Sequence, residues 1–153
     1  MKNLICDIDG VVADCTHRLK YILDTKSTAT LPAVKPDWDA FFEACDEDAP
    51  IVPMIRFLQE IKGFRIIYVT GRPERTRYKT LAWFEKHGVP FGIFELLHMR
   101  EDGDHRHDYV IKKLILETLD KGNIFAVIED RDSVVDMWRG EGLLCLQPRK
   151  GDF

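Results

Sequence analysis

Residues 4–14, with the sequence LICDIDGVVAD, constrain the fold more than any other stretch of the chain. The apolar run at its start is typical of a strand buried on both faces, and Gly10 ends that run. Asp7 and Asp9 therefore lie at the carboxyl end of the predicted strand, where open α/β sheets bind ligands. Two carboxylates this close repel each other unless a cation or a shared proton holds them, which indicates a reactive or metal-binding site. A glycine turn with acidic flanks is the alternative explanation of these residues taken alone.

The composition is that of one folded domain covering residues 1–153. Hydrophobic residues make up 45% of the chain and charged residues 31%, which supplies a core and excludes a disordered polypeptide. The formal net charge of -4 argues against a protein that coats long nucleic acids through bulk electrostatics.

The cysteines and the apolar runs bear on where the protein works. Four cysteines without CxxC spacing indicate reduced thiols rather than a disulfide framework or a zinc site, so we expect a cytoplasmic protein. Because no apolar run is long enough for a signal peptide or a membrane span, we expect neither export by that route nor membrane insertion.

Strand and helix patterns alternate along the chain, which predicts an α/β fold with a doubly wound, Rossmann-like parallel sheet and helices on both faces. The predicted strands cover residues 4–8, 65–70, 93–99, 124–128 and 143–146. The predicted helices cover residues 16–24, 37–45, 51–62, 76–87, 109–119 and 133–139. Residues 15–52 separate the first strand from its crossover helix, and we expect them to form a small helical cap insertion over the site.

Polar groups follow three of the predicted strands, and a lysine lies near the start of a helix. Each has an ordinary structural explanation, such as a strand-end cap, a solvated helix end or an acidic pair that caps the next helix. Their order along the chain, however, resembles the four motifs of the haloacid dehalogenase (HAD) superfamily of phosphohydrolases. In that order the groups are Asp7 with Asp9, Thr70 with Gly71 and Arg72, Lys112, and Glu129 with Asp130.

Several longer segments resemble, more narrowly, the 3′-phosphatase domain of phage-type polynucleotide kinase-phosphatases. They are Arg18 after the first motif, VTGRPE at 69–74, GDHRHDYVIK at 103–112, EDRDSVVDMWRGEG at 129–142 and the final GDF. Two departures matter. The chain has no GxxxxGK[ST] segment, so 5′-phosphorylation is not expected. Glu129 also stands where that family has an aspartate, which puts the accessory metal position in question.

The resemblance implies a two-step hydrolysis of phosphate monoesters. Asp7 would attack phosphorus to form an aspartyl-phosphate. Asp9 would protonate the departing oxygen and then accept a proton from water. This role requires a protonated Asp9 at the first step, and we expect its neighbour Asp7 and a sheltered site to raise its pKa.

The resemblance also implies a Mg²⁺ cofactor, which suits an oxygen-only ligand set. The implied ligands are Asp7, the main-chain carbonyl of Asp9, and Asp130, while Glu129 would hold a metal-bound water or orient Lys112. For the phosphoryl group, the implied contacts are Thr70, the Gly71 backbone and Lys112, with Arg18 and Arg72 as a clamp and Asp108 orienting one of these cations.

The substrate follows less directly from the residues. A basic rim and the aromatic residues Trp38, Phe41 and Phe42 fit a nucleic-acid 3′ end or a nucleotide. A solvated helix face and a cap helix packed on the core explain the same residues. A phosphatase for free mononucleotides or other small monoesters is the main alternative, and a phosphoacceptor or non-catalytic nucleic-acid-binding module is a further one. A separate kinase or ligase is an expected partner, whereas DNA or RNA preference and oligomeric state stay open.

Overall fold

The computed structural model of the protein describes residues 1–23, 34–92 and 96–151. Helices and strands alternate along these residues. In chain order they are β1 (Lys2–Cys6), β2 (Ala13–Asp14), α1 (Trp38–Glu43), β3 (Ala49–Pro50), α2 (Val52–Glu60), β4 (Phe64–Pro73), α3 (Arg77–His87), β5 (Leu97–Arg100), α4 (Asp108–Glu117), β6 (Ile124–Ile128), α5 (Asp132–Gly140) and β7 (Cys145–Leu146). Short 3-10 helices cover Thr16–Tyr21, Ala44–Glu47, Glu74–Thr76 and Lys121–Asn123.

The central sheet has five strands in the described part of the chain, in the order β5-β4-β1-β6-β7. Every neighbouring pair in this sheet is parallel. β1 lies in the middle, between β4 and β6, so its end is surrounded by the ends of two other strands. The predicted α/β fold with a parallel sheet is confirmed.

Helices cover both faces of this sheet. The side chains of β1 alternate between the two faces, so each face contributes to its own core. Leu4 and Cys6 point into a core that also contains side chains of α2 and α3, among them Trp83. Ile5 points into a second core, built with side chains of α4 and α5 such as Trp138. The doubly wound arrangement predicted from the alternating patterns is therefore also confirmed.

Several elements differ from their predicted bounds. The first strand ends at Cys6 rather than at residue 8, because the carbonyl of Ile8 already accepts three amides of the following turn. The second strand continues past Thr70 to Pro73, and the third covers Leu97–Arg100. Residues 93–95 of the third predicted strand, and residue 24 of the first predicted helix, lie outside the described residues.

The segment predicted as a cap contains α1, β3 and two 3-10 helices within the residues that the structure describes. β2 and β3 form a two-stranded antiparallel sheet, and the Ile51 amide donates to the Val12 carbonyl over 2.8 Å at its side. The assignment of residues 15–52 as a cap insertion in a single domain stays a prediction. Among the described helices, none combines the length and apolarity that crossing a bilayer requires.

Candidate active site

The polar residues singled out in the sequence meet at one edge of the central sheet. In the register of the three middle strands, Cys6 of β1 is paired with Tyr68 of β4 and with Ile128 of β6. Because parallel strands end at the same edge, the side chains that follow these positions lie side by side. They are Asp7, Thr70, Glu129 and Asp130.

Three of these residues form a buried acidic cluster. One carboxylate oxygen from each of Asp7, Glu129 and Asp130 lies within 4.8 Å of the other two, and all three residues are buried. Burial and the neighbouring Glu129 raise the pKa of Asp7, against the effect of Lys112. Burial and Asp7 likewise raise the pKa of Asp130, to about 7. Full ionisation of the cluster is therefore disfavoured, and a bound cation would favour the ionised carboxylates.

The donor set of this cluster fits Mg²⁺. All the ligand atoms on offer are carboxylate oxygens, which hard divalent cations prefer. The Oδ2 atom of Asp130 is buried and has no hydrogen-bond partner in the described structure. A buried polar atom without a partner is costly, and a coordinated cation would remove that cost. Asp7, Asp130 and Glu129 are therefore residues that could hold the metal.

Lys112 lies against this cluster although the sequence alone allowed a solvated position. It projects from α4 and is buried, with Nζ 2.7 Å from Glu129 Oε2 and 3.0 Å from Asp7 Oδ1. Burial alone would lower the pKa of Lys112, but Asp7 and Glu129 outweigh it, so the pKa is raised and the side chain stays a cation. The site thus contains a fixed positive charge beside Asp7.

A second buried cluster surrounds Asp9. Arg18 Nη2 donates to Asp9 Oδ1 over 2.7 Å, and Arg72 donates to the same oxygen from Nη2 over 2.6 Å and from Nε over 3.0 Å. Both guanidinium groups are fully buried. Burial raises the pKa of Asp9, but the charges of Arg18 and Arg72 more than offset it and hold this pKa well below its usual range.

This finding corrects the expectation that the pKa of Asp9 would be raised. Its sequence neighbour Asp7 suggested repulsion, whereas Arg18 and Arg72, 9 and 63 residues further along the chain, supply the dominant charges. The contacts also bear on the predicted phosphate clamp. Most donors of Arg18 and Arg72 are directed at carboxylates of the protein, so these contacts favour a role in holding Asp9. Direct binding of substrate by either arginine stays a prediction.

Asp48 completes this cluster, and the sequence analysis missed it. Its Oδ2 accepts from Arg18 Nη2 over 2.6 Å and from Arg72 Nη2 over 2.9 Å, and its side chain is fully buried. The carbonyl of Asp48 also accepts from Trp83 Nε1 over 2.8 Å, which fixes the backbone at this point. In the sequence, residues 46–48 are a short acidic run that looks like a solvated surface, so no local signal identified this residue.

Thr70 and Gly71 of β4 lie next to these clusters, together with Asp108, the first residue of α4. The Thr70 hydroxyl accepts from the Arg72 amide over 3.2 Å. Gly71 is required by close packing, because a Cβ atom there would lie 2.3 Å from Asp108 Oδ1. Asp108 pairs with Arg100 and, over 2.8 Å, with Arg131 Nη1. The predicted cation partner of Asp108 is thus an arginine pair that the sequence analysis did not assign to it.

Two glycines enclose the carboxylate of Asp130. A Cβ atom at Gly10 would lie 1.9 Å from Asp130 Oδ2, and one at Gly151 would lie 2.5 Å from the same atom. Gly10 also has a φ of +82°, which side chains rarely adopt. The Gly151 amide donates to the Asp130 carbonyl over 2.8 Å. The chain after β7 therefore returns to the acidic cluster and limits the positions that Asp130 can take.

A cavity of about 280 Å³ opens beside these clusters. Its lining includes Asp7, Asp9, Thr70, Gly71, Asp108 and Asp130, together with Arg100 and Arg131. Arg18, Arg72, Lys112 and Glu129 are not among its lining residues. The structure thus brings the predicted site residues together, but it divides them between the wall of the cavity and a layer behind that wall.

Comparison with known proteins identifies relatives over the full chain. Residues 1–153 match the family model described as the polynucleotide kinase PNKP phosphatase domain. A protein of Autographa californica nuclear polyhedrosis virus, named for polynucleotide kinase and RNA ligase, is 28% identical over 141 residues. That alignment covers 90% of this chain and 18% of the viral protein, so the chain spans about a fifth of this relative.

Solved structures agree with this result. A chain of the Pnkp1/Rnl/Hen1 RNA repair complex superposes with a TM-score of 0.76 at 27% identity, covering 99% of this chain and 43% of the other. A haloacid dehalogenase-like hydrolase from Streptococcus pneumoniae superposes with a TM-score of 0.56 at 12% identity, covering 96% of this chain and 84% of the other. The second likeness shows a shared fold.

Proposed function

Because the chain belongs to the family of polynucleotide kinase-phosphatase (PNKP) phosphatase domains, we propose that it is a Mg²⁺-dependent phosphomonoesterase that acts through an aspartyl-phosphate. Its substrates would be 3′-phosphates on nucleic-acid ends or nucleotides. One observation carries this proposal. The carboxylate of Asp7 lies in the cavity wall, 3.0 Å from the Lys112 ammonium. Asp130 offers a carboxylate oxygen within 4.8 Å of it, and the Oδ2 atom of Asp130 has no hydrogen-bond partner among the described residues. The proposed nucleophile Asp7, the Lys112 cation and the proposed metal ligand Asp130 therefore lie next to one another.

In the first step, an oxygen of Asp7 attacks phosphorus while the bond from phosphorus to the ester oxygen breaks. Asp9 gives the departing oxygen a proton. In the second step, water attacks the aspartyl-phosphate, its proton passes to Asp9, and the Asp7 carboxylate leaves. The two steps together consume one water and restore the Asp7 carboxylate and the protonated Asp9.

The ionised state of Asp9 in the free protein suits the second step, in which it accepts a proton. For the first step, Asp9 must carry a proton despite the charges of Arg18 and Arg72. A phosphate dianion bound at Asp7 adds negative charge next to Asp9, which favours its protonated form. We expect substrate binding itself to raise the pKa of Asp9.

The Mg²⁺ ion would be held by Asp7, Asp130 and the main-chain carbonyl of Asp9. When bound, the ion would neutralise charge on the phosphoryl oxygens. Glu129 contacts Lys112 over 2.7 Å, which favours the role of orienting that lysine over direct coordination. Thr70, the Gly71 amide and Lys112 would then bind the transferring phosphoryl oxygens.

Arg18 and Arg72 would act mainly by holding Asp9, as their contacts suggest. Arg100 and Arg131 line the cavity, and Asp108 pairs with both of them. These two arginines are therefore better candidates for contacts with a nucleotide phosphate than the buried pair. Residues 15–52 would serve as a cap, since Trp38 and Phe42 of this segment line the same cavity.

The decisive experiment measures phosphate release from a panel of substrates, with Mg²⁺ and with a chelator. The panel contains 3′-phosphorylated oligonucleotides, 3′- and 5′-mononucleotides and a chromogenic monoester. We expect Mg²⁺-dependent release that is fastest with 3′-phosphates, and a loss of about a thousandfold or more in Asp7→Asn. Wild-type turnover in that variant would refute the assignment of Asp7 as the nucleophile. Equal rates on 3′-phosphorylated oligonucleotides and on 5′-mononucleotides would favour a general nucleotide phosphatase.

A separate kinase or ligase is a further part of the proposal. The viral relative is named for kinase and ligase activities, and the structural relative belongs to a complex named for RNA repair. The 153 residues contain no GxxxxGK[ST] segment for a kinase reaction. A kinase or ligase that acts on the same nucleic-acid ends, in another polypeptide or in another domain, would complement the phosphatase.

A further inference from the structure

Helix α1 directs three aromatic side chains at the cavity. Trp38, Phe41 and Phe42 occupy positions that share one face of a helix, and all three line the cavity that contains Asp7 and Asp9. Aromatic residues at such spacing are usually core residues, and the exposed fraction of each ring distinguishes a core ring from one that is open to a ligand.

Burial divides the three rings into two roles. Phe41 is 2% exposed and packs 4.4 Å from the Arg18 guanidinium, so its place in the core explains it. Trp38 is 46% exposed and also lines the cavity, so part of its ring surface stays open there. Trp83 and Trp138, by contrast, are 1% and 0% exposed.

The exposed indole of Trp38 is held in place from behind. Its ring stacks on Phe42 with centroids 6.0 Å apart and planes 28° from parallel. It also lies roughly perpendicular to the Phe41 ring, with the two centroids 5.6 Å apart. A ring supported on two sides loses little conformational freedom when a second flat group covers its free surface.

We propose that Trp38, supported by Phe42, is the stacking platform for the base of the nucleoside that carries the 3′-phosphate. This inference rests on the proposed function and narrows its substrate class. The favoured substrates would be ends whose terminal nucleoside retains its base, rather than abasic ends or sugar phosphates. Since every base has a flat aromatic face, the platform would accept all four bases.

The wall formed by residues 103–108 and Arg131 completes a site for a nucleoside. His105, Arg106 and His107 line the cavity together with the aromatic residues of α1. Their side chains offer hydrogen-bond donors to the base edge or to the sugar, whereas the face of the base would meet Trp38. The cavity of about 280 Å³ lies just below the lower end of the range of small-ligand sites, about 300 Å³, so it matches a small ligand such as a single nucleoside rather than a large one.

Intrinsic fluorescence gives a direct binding test, because Trp38 is the exposed one of the three tryptophans. The test uses Asp7→Asn protein, in which turnover is blocked, and two dinucleotide 3′-phosphates that differ only in a terminal base or a terminal abasic sugar. We expect strong quenching by the substrate with a base and little by the abasic one. Equal quenching by both ligands, or quenching that persists in Asp7→Asn with Trp38→Phe, would overturn the platform.

A kinetic test compares kcat/KM for the same two ligands as substrates. We expect wild-type protein to prefer the substrate with a base by about 5- to 150-fold, the range of base stacking on an aromatic ring. In Trp38→Ala this preference should fall towards one, with a thermal unfolding midpoint that shows a folded protein. Tyr78→Ala is the matched control, since Tyr78 is 78% exposed and does not line the cavity.

The outcomes separate this inference from the proposed function. The assignment of Trp38 as the stacking platform is overturned if wild-type protein releases phosphate from both substrates with a kcat/KM ratio near one. It is also overturned if Trp38→Ala keeps the wild-type preference for the substrate with a base. Absence of phosphate release from both substrates overturns the proposed phosphatase activity instead. In that case the fluorescence test still decides whether Trp38 binds a base.

Discussion

Removal of the Asp48 carboxylate should destabilise the protein strongly. Asp48 lies between Arg18 and Arg72, with distances of 2.6 Å and 2.9 Å from its Oδ2 to their Nη2 atoms and no side-chain exposure. In Asp48→Ala, two fully buried guanidinium groups would share Asp9 as their remaining carboxylate partner. Breaking a buried ion pair by removing one partner costs about 3–5 kcal/mol.

This cost is a large part of the total stability. Domains of this kind are stable by about 5–15 kcal/mol. At about 2–4 °C per kcal/mol for a domain of this size, the loss in Asp48→Ala would lower the unfolding temperature by about 6–20 °C. The measurement is urea unfolding followed by circular dichroism, with the change read from the midpoint at constant slope. The alanine variant should also lose phosphatase activity at temperatures where it is folded, because Arg18 and Arg72 would no longer be held in place around Asp9.

Glu141→Ala is the matched control for this prediction. Glu141 also bridges two cations, Lys113 at 2.8 Å and Lys121 at 3.2 Å, but at the surface. Surface ion pairs contribute little because water screens them, so the control should unfold close to the wild type. If Asp48→Ala and Glu141→Ala lowered stability equally, or if Asp48→Ala cost less than about 1 kcal/mol, the reasoning from burial would be refuted.

Three further predictions test the site. Gly151→Ala should weaken Mn²⁺ binding, because its Cβ atom would lie 2.5 Å from Asp130 Oδ2. Electron paramagnetic resonance measures this binding. Gly122→Ala is the control and should bind Mn²⁺ as the wild type does, because the nearest atom to its Cβ lies 3.5 Å away. Asp9→Asn should slow hydrolysis of a nucleoside 3′-phosphate far more than that of p-nitrophenyl phosphate, whose leaving group needs no proton. Equal losses would argue against Asp9 as the acid. Because the pKa of Asp9 is lowered in the folded state, its contribution to stability is present above its unfolded pKa of about 3.9 and is lost as the pH falls towards its folded pKa. Urea unfolding from pH 6 to pH 3 should therefore show a steeper loss for wild type than for Asp9→Asn.

Much of the site was predictable because parallel strands end at one edge. The apolar runs located β1, β4 and β6, and the residues after those runs included Asp7, Thr70 and Asp130. Once the strands were predicted to be parallel, proximity of these side chains followed without knowledge of their contacts. Lys112 was predicted from its resemblance to a family motif, since its pattern on the helix alone allowed a solvated position.

The sequence alone therefore determined the fold class and the order of the polar groups along the chain, since strand periodicity and motif spacing are local properties of the chain. The order of these groups along the sheet edge follows from the strand order β5-β4-β1-β6-β7 of the folded protein. The tertiary structure alone decided the ionisation of Asp9 and the part played by Asp48. Both depend on Arg18, Arg72 and Asp48, which come from segments separated by 24 or more residues and meet in a buried cluster. Electrostatic effects in a buried cluster depend on distance in space rather than along the chain, so nearby residues in the sequence suggested a raised pKa where folding produces a lowered one.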